Sequence, residues 1–296
     1  MKGWGIQSSG MRSSGTLLVV ITLCVVGYAS PATKQIGPGL YAYISDNDGS
    51  ANSTFLVGKE AILVVDTGVD AKEGGKLLAA IRSVSNLPVK YIVNTHYHPD
   101  HQGGNSVVGP DAVVISTDWT RDHTISMSRA QPAANASRFR AARLTFTEAL
   151  TLHIDPYIAK VSFPGKAHTS GDALVYFHEQ RAIAMGDLFL TRSSPAMDEG
   201  SVKSWIHALD QVLELPVDSI VPGHFELAGK SELKRFRDYL NDLYVQVQNM
   251  RDKGATVEAV RRNVHMEKYS DFRQYPHYQA TFTDNAETIY HQLQQQ

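Results

Sequence analysis

Cysteine is almost missing from this chain. Of 296 residues only Cys24 is one, and it lies inside an apolar run near the N-terminus, where it reads as filler. Leu23 before it is too bulky for a lipoprotein-type processing site. Beyond that run no disulfide can form, and any metal site must use His, Asp, Glu or water. A dominant sign of charge is also lacking. The formal net charge is −2, so no basic excess points to nucleic acid and no acidic tail points to a basic partner. No repeat recurs at a period of a few tens of residues, which argues against a solenoid or propeller. Hydrophobic content of 43 % is that of an ordinary globular protein with a sizeable core.

Apolar runs are short, with one exception. Arg12 precedes "TLLVVITLCVVG" (residues 16–27), and "YASPA" follows. A basic start, an apolar middle of this length and small residues after it describe a secretory signal peptide, cleaved after Ala29. The run is too short for a comfortable transmembrane helix. Residues 11–29 alone would make a complete signal. The expectation is an exported, periplasmic or secreted protein: a signal over residues 1–29 and one folded domain over residues 30–296. Only an uncleaved signal would touch a membrane.

The remaining chain alternates between two kinds of pattern. Short β-rich segments over residues 39–68 are separated by turn signals. A helical spacing of Leu77, Leu78, Ile81 and Val84 follows, with Asp70 as N-cap. Residues 89–95 and 111–116 read as buried strands. An Arg-rich stretch, residues 119–145, breaks the rhythm and reads as a pair of solvated basic helices. A second β-rich run covers residues 150–190, in which "RAIAMGDLFL" reads as one strand. An amphipathic helix follows over residues 201–215, then a short strand at "DSIVPGH". A long helix over residues 229–253 and an aromatic-rich helical tail over residues 254–296 close the chain. Strands and helices thus occur in two similar halves, which predicts an α/β fold of four αββα layers with extra C-terminal helices.

The stretch "NTHYHPDHQGG" (residues 94–104) crowds three histidines and an aspartate behind a strand. Side chains two apart in an extended segment point the same way, so His96 and His98 can chelate one ion. Asp100 and His101 follow Pro99, at a helix start, and are aimed toward a second ion. One ion needs about four ligands, so partners must come from elsewhere. His168 in "PGKAHTSGD", Asp187 in "AMGDLF", His224 in "VPGH" and Asp66 in "VVDTG" all end apolar segments, where a buried charge is otherwise costly. Asp66 has two readings, a turn cap or a support for the site. His123, His153, His178, His207, His265, His277 and His291 fit no motif and receive no role.

With "THYHPDH", "AHTSGD", "GDLF" and "PGH" in this order, the chain resembles the metallo-β-lactamase-fold hydrolases, over nearly all of it from residue 37 to the long helix. The resemblance implies one metal held by His96, His98 and His168 and a second by Asp100, His101 and His224. It implies a bridging carboxylate at Asp187 and a supporting aspartate at Asp66. A hydroxide shared by two cations is a strong nucleophile near neutral pH. The expected reaction is therefore hydrolysis of a carbonyl compound (ester, thioester, lactone or β-lactam), with Asp100 as the catalytic side chain that orients the nucleophile. Zinc suits these ligands best, and iron and manganese also suit them. A bridging Asp is typical of glyoxalase II-like thioesterases and lactonases, whereas export favours β-lactams. Two alternatives stand beside this: β-lactamase as the main activity, or an iron-dependent oxidoreductase on the same fold. The expected partner is a small-molecule substrate, without nucleic acid.

Overall fold

In the computed structural model, Met1 and residues 32–131, 139–274 and 282–295 are described. Residues 2–29 of the proposed signal segment, with Cys24, and Arg138, Tyr275, His277 and Tyr278 lie outside them. Strand β4, Ile62–Val65, shows how the fold is organised. All four residues are buried. Because strand side chains alternate, Ile62 and Val64 join one apolar cluster, and Leu63 and Val65 join another on the opposite face. A strand covered on both faces belongs to the middle of a layered structure.

Seven strands make the first sheet, paired in sequence order. These are β1 (Ala32–Gly37), β2 (Leu40–Ile44), β3 (Ser53–Val57), β4, β5 (Val89–Val93), β6 (Val113–Thr117) and β7 (Leu144–Phe146). The first four pair antiparallel, and β4 to β7 pair parallel. The second sheet runs in the order β13 (Ser219–Val221), β11 (Ala182–Ala184), β10 (Leu174–Phe177), β9 (Tyr157–Ser162), β8 (Ala149–Ile154). Its one parallel pair is β11 with β13.

Three apolar layers hold these sheets. Between them lie Leu56, Val93, Ile115, Val161, Val175 and Phe177. Outside the first sheet, Phe55 and Ile92 pack under Leu77 and Ile81 of helix α1 (Ala71–Val84). Outside the second sheet, Ile183 and Ile220 pack under helices α5 (Val202–Glu214) and α6 (Lys230–Asp252), with Trp205, Leu209 and Phe236 fully buried. Four layers with three apolar seams are the αββα sandwich that the sequence predicts. Asp70 caps α1 as expected, accepting from Lys72 N and Glu73 N at 2.8 and 2.9 Å. Val84, expected on the apolar face, is exposed at the helix end.

Two expectations are corrected. The Arg-rich stretch holds, among the described residues, one helix, α4 (Asp118–Ala130), and then edge strand β7. Two of its arginines are tied to main-chain oxygens: Arg121 Nε donates to Ala142 O at 3.0 Å, and Arg140 donates to Gly109 O and Ala112 O. Guanidinium groups used this way tie the segment to the connections that lead into β6 and β7, and the segment is not a pair of solvated helices. "RAIAMGDLFL" is likewise not one strand. Gly186, at φ +51, breaks it after Ala184 and starts a 3₁₀ turn (Gly186–Leu188). A left-handed backbone of this kind favours glycine, and the turn swings Asp187 away from the sheet.

The tail packs as an arm. Helices α7 (Val257–Asn263) and α8 (Phe282–Gln294) join the cluster around α6, and Tyr269 and Phe272 stack about Tyr239. No helix of the described residues is long and apolar enough to cross a membrane.

Candidate metal centre

Parallel strands deliver the polar residues. Asp66 follows β4, Thr95 and His96 follow β5, Asp187 follows β11 and His224 follows β13. Sites in α/β folds form at the carboxyl ends of such strands, where loops converge. Pro99 starts the short helix α2 (Pro99–Gln102), which carries Asp100 and His101. His168 comes from the loop between β9 and β10. Gly103 and Gly104 let α2 lie against the β4 loop, since a Cβ there would overlap the Val69 and Thr67 carbonyls.

All seven expected ligands come together. His96, His98, His168 and Asp187 form one group and Asp100, His101 and His224 another, with ligand atoms within 4.8 Å of one another in each. His98 Nδ1 stands 3.0 Å from His96 Nε2 and 3.1 Å from His168 Nε2. Asp187 faces both groups. Its Oδ2 is 3.6 Å from His168 Nε2, and its Oδ1 is 3.1 Å from His101 Nε2 and 3.4 Å from His224 Nε2. Asp100 Oδ2 completes the second group, 3.1 Å from His224 Nε2.

Hydrogen bonds on the outer side of each ring decide which nitrogen faces inward. His101 Nδ1 donates to Asp66 Oδ2 at 2.8 Å. The Thr95 hydroxyl donates to the same oxygen at 2.7 Å and so accepts from His96 Nδ1 at 3.1 Å. His168 Nδ1 donates to Ala196 O at 3.3 Å. His98 Nε2 faces Glu199 Oε1 at 3.5 Å, and Tyr97 donates to that oxygen at 2.6 Å. A neutral imidazole has one donor and one acceptor nitrogen, so each of these rings, when neutral, turns its lone pair inward. The Asp66 carboxylate thus holds His101 and Thr95 and does not serve its own turn alone.

The donor set fits metal ions. Bare nitrogens 3.0–3.1 Å apart repel unless a cation lies between them. Tetrahedral zinc with bonds of about 2.0–2.1 Å has ligand-to-ligand edges of about 3.3 Å. Asp100 Oδ2, His101 Nε2 and Asp187 Oδ1 are buried without a well-formed hydrogen bond, which is costly unless something else satisfies them. Burial, with repulsion from neighbouring rings, holds His96 well below the ordinary histidine range, and burial pushes His168 down to about 4. Both stay neutral and able to ligate. His101 is the opposite case: burial lowers it, but the Asp187, Asp100 and Asp66 carboxylates win and raise it well above its ordinary value. That corner of the site favours positive charge.

Sequence reading missed Glu199, Tyr97 and Thr95. It also passed over Asp172, which closes the His168 loop by accepting from Thr169 N and Oγ1 at 2.9 and 2.6 Å. Burial raises its carboxyl to about 7 against those two bonds. Only "SGD" hinted at it. Of the histidines left without a role, His123 stacks on Trp119 and donates to its carbonyl, and His207, His265 and His291 are exposed.

Known proteins resemble this chain. A family model described as the metallo-beta-lactamase superfamily matches residues 46–224. A linear primary-alkylsulfatase of Pseudomonas sp. (strain ATCC 19151) is 25 % identical over 78 % of this chain and 53 % of its own length. The 2,4-dinitroanisole O-demethylase subunit alpha of Nocardioides sp. (strain JS1661) is 26 % identical over 63 % of this chain and 56 % of its own. This chain thus spans about half the length of these two relatives. Among solved structures, a metallo-beta-lactamase from Pontibacter korlensis superposes with a TM-score of 0.62 at 23 % identity, over 71 % of this chain and 99 % of that one. The sec-alkylsulfatase Pisa1 from Pseudomonas sp. gives 0.68 at 16 % identity, over 88 % and 50 %. At these identities the structural likeness is one of fold.

Proposed function

We propose, from the premise that this chain belongs to the metallo-β-lactamase superfamily, that it is a dinuclear metal-dependent hydrolase acting on a carbonyl compound. His96, His98 and His168 would hold one ion, and Asp100, His101 and His224 the other. The observation that carries this reading is Asp187, which turns one carboxylate oxygen toward each histidine group. A bound pair of divalent ions, zinc by preference, supplies activated water near neutral pH and positive charge for a developing oxyanion.

The chain's own residues do the rest. Asp66, Thr95, Ala196 and Glu199 fix the rings, so the inward nitrogens are set before substrate arrives. Asp100, beside His224 at the edge of the second group, orients the attacking water and accepts its proton. The buried setting of His96, Asp187 and His224 excludes bulk water from their side of the centre. Export belongs to the same proposal and rests on Arg12 and the apolar residues 16–27.

A second substrate class has support of its own. Likeness to the alkylsulfatases extends over 78 % of this chain in sequence and 88 % in structure, past the end of the family match and into the C-terminal helices. Alkyl sulfate esters therefore belong in the test. Metal is quantified in the purified protein, and esters, thioesters, lactones, β-lactams, phosphodiesters and alkyl sulfates are offered to it. Two equivalents of metal, with turnover of a carbonyl class that is lost on chelation and in Asp187→Asn, are expected. Turnover of sulfates alone would replace the substrate class. Chelator-resistant turnover, or a coloured iron protein that consumes oxygen, would overturn the hydrolase.

A further inference from the structure

Residues 193–201 run between the Asp187 turn and α5, and they touch two rings of the first ligand group from outside. Ala196 O accepts from His168 Nδ1 at 3.3 Å, and Glu199 Oε1 stands 3.5 Å from His98 Nε2. Residues 193–197 are buried, and buried main-chain groups need partners. Helix α8 supplies several of them.

Two polar side chains on α8 reach the segment. Asn285 Nδ2 donates to Ser194 Oγ at 3.1 Å and to Pro195 O at 2.8 Å. Gln292 Nε2 donates to Met197 O at 3.3 Å and to Gly200 O at 3.1 Å, and its Oε1 accepts from Val202 N at 3.1 Å. Asn285 and Gln292 lie two helical turns apart on α8, about 10 Å along one face. Between them, Ile289 is buried in the same apolar cluster as Met197 and Trp205. The carbonyls that α8 holds bracket the residues that orient the rings. Pro195 and Met197 flank Ala196, and Gly200 follows Glu199. The second ligand group is oriented from the other sheet, where His101 Nδ1 donates to Asp66 after β4.

We propose that Asn285 and Gln292 are positioning residues of the metal centre. Through residues 193–201, α8 fixes the partners of His168 and His98 and so sets the affinity of the first ion. The proposal rests on the dinuclear reading given above. Helix α8 lies beyond the family match, which ends at residue 224, so this support comes from outside the matched part of the chain. If α8 served only to cover the apolar cluster, substitutions on it would cost stability without preference between the two ions.

Gln292→Ala in the full chain tests this. Helix α8 keeps its other anchors, the buried Ile289 and Leu293 and the ion pairs of Arg261 with Asp284 and Glu287, so the variant stays folded. Zinc affinity is read stepwise by competition against a coloured chelator. Wild-type protein should take up two equivalents. In Gln292→Ala one equivalent should weaken about fivefold, less than the factor of about 10–100 for a residue that touches a ligand itself, and the other should be unchanged. Gln292→Glu keeps the acceptor for Val202 N but loses both donors, so it should weaken the same ion at least as much. Asn285→Ala should act on that ion too. Combined with Asp66→Asn, whose loss falls on the second ion, Gln292→Ala should leave both equivalents weak. Coupling is reciprocal, so zinc should slow hydrogen exchange of the α8 amides, and less so in Gln292→Ala. Two unweakened equivalents in both Gln292 variants, or an equal loss from both ions, would overturn the proposal. Exchange of α8 that is indifferent to zinc in wild-type protein would do the same. Wild-type protein that takes up no zinc would overturn the dinuclear reading and this proposal with it.

Discussion

His101 Nδ1 lies 2.8 Å from Asp66 Oδ2, and the same carboxylate accepts from Thr95 N and Thr95 Oγ1 at 2.9 and 2.7 Å. Asp66 sits at φ +56, a conformation uncommon for a residue with a side chain. It thus ties the ends of β4 and β5 to the second ligand group. Asp66→Asn retains one acceptor oxygen and sets an amide N–H₂ against one of these donors. The expected result is a loss of about 10–100-fold in affinity for one of two metal ions. Competition against a coloured chelator measures it, and two unweakened equivalents would show that Asp66 is a turn residue and nothing more.

Glu199 plays the matching part for His98. It accepts from Tyr97 and stands 3.5 Å from His98 Nε2, which turns Nδ1 toward His96 and His168. Glu199→Ala should weaken the other ion by a similar factor of about 10–100, while Glu199→Gln, which still accepts, should weaken it less. Equal metal affinity in the two variants would remove the ring-orienting role. Because Glu199 is half-buried on the loop before α5, neither variant should cost much stability.

How far the sequence reached is clear from these pairs. That His96, His98, Asp100, His101, His168, Asp187 and His224 gather in one place was legible because polar metal-capable residues beside apolar strands have few other reasons to be there. Strands β4 and β5 were legible from continuous apolar runs, and α1 from its period and from Asp70. Glu199 was not, because it lies 101 residues from His98 in a stretch that reads as an acidic surface turn. Which nitrogen each ring offers was hidden for the same reason: it depends on Asp66, Ala196 and Glu199, which only folding brings near. Strand β7 was obscured by the arginines before it, two of which, Arg121 and Arg140, donate to main-chain oxygens.

Metal removal should be visible in stability as well as in activity. An ion that binds only the folded state at about 100 times its dissociation constant adds about 2.7 kcal/mol. For a domain of this size that is a rise of about 5–10 °C in melting temperature per ion. Scanning calorimetry of stripped protein, with and without added zinc, should show this rise, and His96→Ala/His224→Ala should lose most of it. An equal rise in the double variant would mean that zinc stabilises the chain elsewhere.

Gly223 offers the most local test of the Asp187 geometry. A Cβ on it would overlap Asp187 Oδ1. Its own backbone cannot give way easily: Gly223 N donates to Gly186 O and Phe189 O at 2.8 and 3.0 Å, and Gly223 O accepts from Asn52 N at 2.7 Å. Gly223→Ala should therefore displace the carboxylate, at an overpacking cost of about 1–3 kcal/mol. The expected outcome is a folded protein with fewer than two equivalents of metal and turnover reduced at least about tenfold, in line with one transition-state interaction lost. Gly75 is the control, since a Cβ there meets nothing within 4 Å and α1 should gain about 0.5–1 kcal/mol from Gly75→Ala. Full metal content and turnover in Gly223→Ala would mean that the position of Asp187 does not govern the centre.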